Sequence, residues 1–267
     1  MAFRIAALGA AISLWAAACA GTLLAQTFRN SLGMEFVYVE AGNFMMGSGS
    51  DAAVPADDDE RPLHRVAISK PFLISLLEVT QAQYERVMGS NPSRFVGAAL
   101  PVEQLSWLDA AEFLKKLDAA EGGRGLYRLP TEAEWEFAAR ESHDRFFPGE
   151  LSEDLLGCGW TGQNSGGATR PAGTMKPTGR GLFDVHGNVS EWTADWYSRS
   201  YYSTSPFIDP AGPPSGTARS VRGCSWFDPV RRCRPAYRGF MGPRDRNSYT
   251  GFRVVRNPGL YGEMRGK

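Results

Sequence analysis

The sequence has no Cys-x-x-Cys pair and only four cysteines in 267 residues. That is too few for a disulfide-built scaffold, and the paired spacing of a structural zinc site is absent. Net charge is also lacking, with 29 basic and 29 acidic side chains. A general nucleic-acid binder needs a basic face to displace counterions from phosphate, so nucleic acid is not an expected partner. Histidine is scarce, at three residues with no matched His-x-x-His spacing, and no Gly-x-Ser-x-Gly elbow occurs. Neither a zinc hydrolase nor a serine hydrolase is visible. What is plentiful is 30 Gly, 17 Pro, 7 Trp, 9 Tyr and 15 Phe. These suit a turn-rich fold whose large flat side chains fill the core, and 43% hydrophobic residues exclude a disordered chain.

Met1–Ala25 carries one charge, Arg4, then an apolar run and small residues ending Leu23-Leu24-Ala25. This is the pattern of a secretory leader, which makes residues 26–267 the mature domain. Lipidation at Cys19 or retention as a membrane anchor are the alternatives. Beyond Ala25 no apolar run reaches the roughly 20 residues that cross a bilayer. The expected product is therefore exported, periplasmic or secreted, where disulfides persist. Cys158, Cys224 and Cys233 remain after cleavage, an odd set that leaves at least one without a partner in the chain.

Capping signals define three helices. Thr80 with Gln83 opens Gln81–Met88 and Gly89 stops it; Ser106 opens Trp107–Ala120; Thr131 with Glu134 opens Glu132–Arg140. In the second, Leu108, Ala111, Leu114 and Leu117 recur at near-helical spacing. Phe36–Glu40 and Gly42–Met46 read as strands around a turn, and His64–Ser69 and Phe72–Ile74 as another pair. Ser48–Glu60 is an acidic loop. After Glu141 helix signals nearly vanish, leaving long ordered loops and short strands at Ser220–Trp226 and Gly251–Arg256. The fold class is α+β, a single loop-rich domain.

Certain blocks carry more. Gly33-Met34-Glu35-Phe36 and Ala41–Ser48 form the first; Glu78–Tyr84, Pro101-Val102-Glu103 and Arg128–Glu136 follow. Gly181–Trp192, Arg222-Gly223-Cys224-Ser225-Trp226 and Gly251-Phe252-Arg253 complete the set. Together they resemble the formylglycine-generating enzymes, also called sulfatase-modifying factors, over about residues 30–256. The resemblance implies a variant C-type-lectin-like fold with little secondary structure and bound calcium. It also implies oxidation of a cysteine in a protein substrate by molecular oxygen at a copper ion held by two cysteines, which suits soft thiolates selecting Cu(I).

Site residues follow by position. Cys233 lies in the family's copper region, with Ser225 beside it. Asp228 stands where the nearer cysteine belongs, and Cys224 replaces the second Gly of its block. Cys224 and Cys233 could form a disulfide, hold a metal or remain thiols. Calcium ligands map to Asp184, Gly187, Val189 and Glu191, because Ca²⁺ takes six to eight hard oxygens. Asn164 marks a second calcium site whose other stretch, near residues 150–156, is unrecognisable. Trp226, Arg231 and Arg238 are expected at a substrate rim, because Arg forks grip anions, though the Arg-rich segment could equally bridge internally. A groove is expected between residues 225–238 and the turn 187–192. Two functions compete: a monomeric oxidoreductase or maturation factor acting on a protein or peptide in the envelope, and a non-catalytic module binding protein, peptide or glycan.

Overall fold

Strand pairing departs from the order in which the strands follow one another. The structure, a computed structural model, describes residues 27–50, 55–140 and 156–259. The expected leader, His143 and nearly all of 150–156 lie outside the described residues. Strands β1 (Thr27–Arg29), β2 (Glu35–Val39), β5 (Phe72–Ser75), β11 (Val255–Arg256) and β6 (Tyr127–Arg128) form one antiparallel sheet in the order β1-β2-β5-β11-β6. β3 (Gly42–Met46) pairs with β4 (His64–Ile68) as a separate ribbon. The two expected pairs are thus exchanged: β2 joins β5, and β3 joins β4. Burial explains the exchange, since all four residues of β5 are buried and need partners on both edges.

The second sheet runs β10-β7-β8-β9, with β7 at Ser190–Trp196, β8 at Arg219–Arg222, β9 at Arg238–Met241 and β10 at Thr250–Gly251. β7 starts inside the block read as a calcium turn, so sequence reading missed it. The strand expected at residues 220–226 ends at Arg222, because Gly223 turns at φ 73°. The stretch expected over 251–256 is two short strands of different sheets.

Helices α1 (Gln81–Met88), α2 (Trp107–Ala120) and α3 (Glu132–Ala139) begin at the predicted caps. Each cap is a reciprocal box; in α3 Thr131 Oγ1 accepts from Glu134 N at 3.1 Å while Glu134 Oε2 accepts from Thr131 N at 2.9 Å. The buried face of α2 is Ala110, Phe113, Leu114 and Leu117. Leu108, expected there, is 42% exposed because it lies in the first turn on the side of the helix opposite the buried face. Residues 58–60, read as loop, make one 3₁₀ turn.

α3 holds the halves together. It buries Glu132 and Glu136 along with its apolar residues, which a surface helix would not do. Arg222 on β8 reaches Glu132 at 3.1 Å and bonds Glu136. Arg238 on β9 grips both oxygens of Glu132 at 2.7 and 3.0 Å. Arg140 meets Glu136 at 2.6 Å, and Arg234 grips both oxygens of Glu60 at 2.5 and 2.6 Å. Burial pushes the Glu132 carboxyl up, but Arg238 and Arg222 more than offset this and hold it below the usual range. Arg234 and Arg238 of the Arg-rich segment are therefore internal, while Arg231, Arg232, Arg244 and Arg246 are exposed. Removing one member strands its partners in the interior. We expect Arg222→Ala to cost on the order of 3–5 kcal/mol in urea denaturation. Arg246→Ala, at the exposed Asp109 pair, should cost about 1 kcal/mol or less; comparable losses would refute this account.

Candidate functional site

The loop after β8 folds back on itself. Cys224 and Cys233 are joined in a disulfide spanning nine residues of sequence, and both are fully buried with Val230, Leu156 packing against them. Closing so short a loop stabilises the fold by roughly 2–3 kcal/mol in the chain-entropy treatment. Within it Asp228 Oδ2 accepts from Ser225 N at 3.1 Å and from Ser225 Oγ at 2.6 Å. Arg232 donates to the other oxygen of Asp228 at 3.2 Å. Ser225 is buried, and the position where a copper cysteine was expected now fastens the loop. Both sulfurs are bonded to each other, so no thiolate is present to take Cu(I). In this state the donor set does not fit copper.

The two segments expected to bound a groove touch each other. Trp226 N donates to Asn188 O at 2.8 Å, and His186 Nδ1 lies 3.0 Å from the Cys233 carbonyl, so it carries the donated proton. Burial pushes the His186 pKa down to about 4, leaving the ring neutral. Gly187 is required here, because a Cβ would lie 2.4 Å from the Trp160 carbonyl oxygen. Loop and turn thus touch at Trp226–Asn188 and at His186–Cys233. Arg238, expected on a rim, is 3% exposed and is taken by Glu132. Arg231 is exposed. Trp226 is buried, its Nε1 donating to Ser248 O at 2.7 Å.

Beneath the turn lies a carboxylate cluster. Glu191 is gripped by Arg253 through both oxygens, at 2.6 and 2.7 Å, and accepts from Trp135 Nε1 at 2.7 Å. Arg253 also donates to the carbonyls of Ser75, Leu76 and Phe183. Asp184 Oδ2 accepts from Gly173 N at 2.6 Å, while its Oδ1 is buried with no partner among the described residues. Glu78 accepts from Val189 N at 3.0 Å and from Asn188 Nδ2 at 2.7 Å. Burial, then Asp184 and Glu191, push the Glu78 pKa well up, and burial takes Asp184 to about 6. Three carboxyls against one guanidinium form a site that a cation would relieve. Asp184 suits such an ion; Glu191 does not while Arg253 holds it. Among the described residues no group of three His, Cys, Asp or Glu side chains is arranged to hold a metal. Asn164 instead makes a turn, accepting from Thr161 N and donating to the carbonyls of Leu156 and Gly159.

Glu78 and Glu103 were quoted in sequence blocks without a role. A carboxylate between an apolar run and a helix cap was the only available signal. Glu103 is fully buried; one oxygen accepts from Phe95 N at 2.8 Å, and the other has no partner among the described residues. The Phe95 ring meets Trp226 edge-on at 5.3 Å. Burial raises the Glu103 pKa from 4.5 to about 7 against the pull of the Phe95 and Arg94 amides. The folded chain thus holds this proton more tightly than the unfolded one, and stability falls as pH rises through that window. Glu103→Gln should be more stable than the parent at pH above about 7, by on the order of 1–3 kcal/mol, and should lose that advantage near pH 4. Melting curves at the two pH values decide it.

Comparison with known proteins gives consistent matches. Residues 22–258 match the family model described as sulfatase-modifying factor enzyme 1-like domain. The chain is 29% identical to the protein named chaperone protein LppX of Paenibacillus barcinonensis, covering 92% of this chain and 98% of that one. It is 30% identical to the formylglycine-generating enzyme of Streptomyces coelicolor, covering 84% and 90%. The solved structure of PvdO from Pseudomonas aeruginosa superimposes with a TM-score of 0.78 at 29% identity, over 87% of this chain and 98% of that one.

Proposed function

The chain belongs to the family of sulfatase-modifying factor enzyme 1-like domains, and on that premise we propose that it is an exported maturation or chaperone-type factor. It would hold a protein or peptide in the cell envelope without copper-dependent oxidation. The observation that carries this reading is the Cys224–Cys233 disulfide. It ties up Cys233, the one cysteine in the family's copper region, together with the neighbouring Cys224, and it is the state an oxidising compartment favours. The fastening of Ser225 by Asp228 points the same way, since the reacting loop is locked from inside. The relative named a chaperone supports a protein ligand.

A second reading keeps the oxidase, because the two sulfurs do come together beside Ser225. Reduction would release two thiols at one point of the loop. We expect the untreated protein to bind no stoichiometric Cu(I) and to consume no oxygen with a Cys-x-Pro-x-Arg peptide. Copper-dependent oxygen uptake after mild reduction would replace the maturation reading with the oxidase.

Calcium at Asp184 belongs to the same proposal. The buried, unpartnered Oδ1 and the neighbouring Glu78 support it, with the carbonyls of Gly187 and Val189 as further oxygens. An ion held at about a hundred times its dissociation constant adds roughly 2.7 kcal/mol, so EDTA should lower the melting midpoint by about 5–10 °C. An unchanged midpoint in EDTA removes the ion from the site.

A further inference from the structure

Four aromatic rings run in a row beside the locked loop, with Phe227 and Tyr249 open to solvent, Phe95 half-buried and Trp226 buried between them. Phe95 meets Trp226 edge-on at 5.3 Å, Trp226 meets Phe227 at 5.7 Å, and Phe227 stacks on Tyr249 at 6.0 Å. Three separate loops supply them. Phe227 is 66% exposed, and Val96, next to Phe95 in sequence, is 81% exposed. Scattered exposed apolar residues need no explanation, but a contiguous row does. The row is also rigidly mounted. Trp226 is anchored through Nε1 to Ser248 and through its carbonyl, which accepts from Ser165 Oγ at 2.9 Å. Phe95 is fixed at its amide by Glu103 and at its carbonyl by Gln81, at 2.8 and 2.6 Å. Rigid aromatic side chains bind with little loss of conformational entropy.

The surrounding charge is one-sided. Segments 91–101, 159–170, 226–233 and 241–250 contain six arginines and two aspartates. Both aspartates serve the fold: Asp228 holds Ser225 and Arg232, and Asp245 accepts from Gly242 N. Arg94 stands over the Phe95 ring at 5.2 Å, and Arg231 and Arg244 are exposed. The rim therefore carries exposed arginines at Arg94, Arg231 and Arg244, while Arg232 and Arg246 are paired with Asp228 and Asp109. A sugar ligand would want carboxylate or amide acceptors for its hydroxyls, whereas this rim presents donors. Spacing selects further. Same-face side chains of an extended chain repeat every ~6.6 Å, close to the ring-to-ring steps of the row.

We propose that this row is the docking surface for an acidic, extended polypeptide segment, whose alternate apolar side chains lie on the rings and whose carboxylates meet the arginine rim. This names the partner chemistry of the maturation reading and rests on it.

The test uses the full mature protein and three labelled peptides of about ten residues, long enough to span the row. One alternates Glu with Leu and Phe, one has Lys in place of Glu, and one has Gln; a sulfated oligosaccharide is the fourth probe. Fluorescence anisotropy should show the acidic peptide binding about tenfold more tightly than the lysine peptide, with the preference shrinking in salt. Phe227→Ala and Tyr249→Ala, both at exposed rings, should keep the parental melting midpoint and weaken that binding by about tenfold. Arg94→Gln should weaken it about fivefold. Equal binding of all three peptides, or binding insensitive to Phe227, overturns the surface and leaves the peptide-holding reading intact. Binding of the oligosaccharide alone overturns it in favour of a glycan. Failure of every peptide overturns both.

Discussion

Buried pairing of arginine with glutamate governs this molecule. Arg222, Arg238 and Arg253 are almost wholly removed from water, as are Glu132, Glu136 and Glu191, and each ion has several partners. Hydrophobic burial alone would not specify so loop-rich a chain, because irregular backbone offers few repeating faces to pack. Directional, bidentate contacts do specify it: a guanidinium fork accepts a carboxylate in few orientations. Arg253 illustrates this, since it joins Glu191 and three backbone carbonyls and so positions three separate segments. Isolated, such pairs recover little beyond their desolvation cost. Their contribution is that wrong arrangements leave charges bare.

The same economy shapes the candidate site. In the sequence, Ser225 stands beside the cysteine of a copper region, and Asp228 stands where its second cysteine belongs. In the structure they satisfy one another, and the disulfide closes over them. The Ser225 hydroxyl is committed to Asp228, and the two sulfurs are committed to each other. The accessible face is outside, where Phe227 and Tyr249 stack in solvent. The fold thus turns these groups inward and carries two aromatic rings outward.

Much of the fold was legible. Helix starts were readable because Thr80, Ser106 and Thr131 act through neighbours three residues away, and local chemistry survives translation into structure. Family membership was legible because glycines such as Gly187, with no room for a Cβ, leave a fixed spacing. Strand partners were not. Nothing local distinguishes β2 pairing with β3 from β2 pairing with β5, and the choice rests on burial of both edges of β5. Nor could sequence show that Arg238 faces Glu132, 106 residues away, while Arg231 faces water. Identical side chains in one Arg-rich segment have opposite fates, decided by what other loops bring to them.

The chain order of the ion pairs has a consequence for how the molecule is made. The carboxylates Glu60, Glu132, Glu136 and Glu191 all precede Arg222, Arg234, Arg238 and Arg253. Arg234 lies 174 residues beyond Glu60, and Arg253 donates to a carbonyl 178 residues earlier. A nascent chain emerging from its amino end therefore holds acids whose main partners are still to come, with only Glu136 finding Arg140 close by. They stay ionised and hydrated, and the core cannot close over them. Long-range contacts of this kind make folding late and concerted. The ionic frame of the core can therefore close only once the final fifth of the chain has appeared.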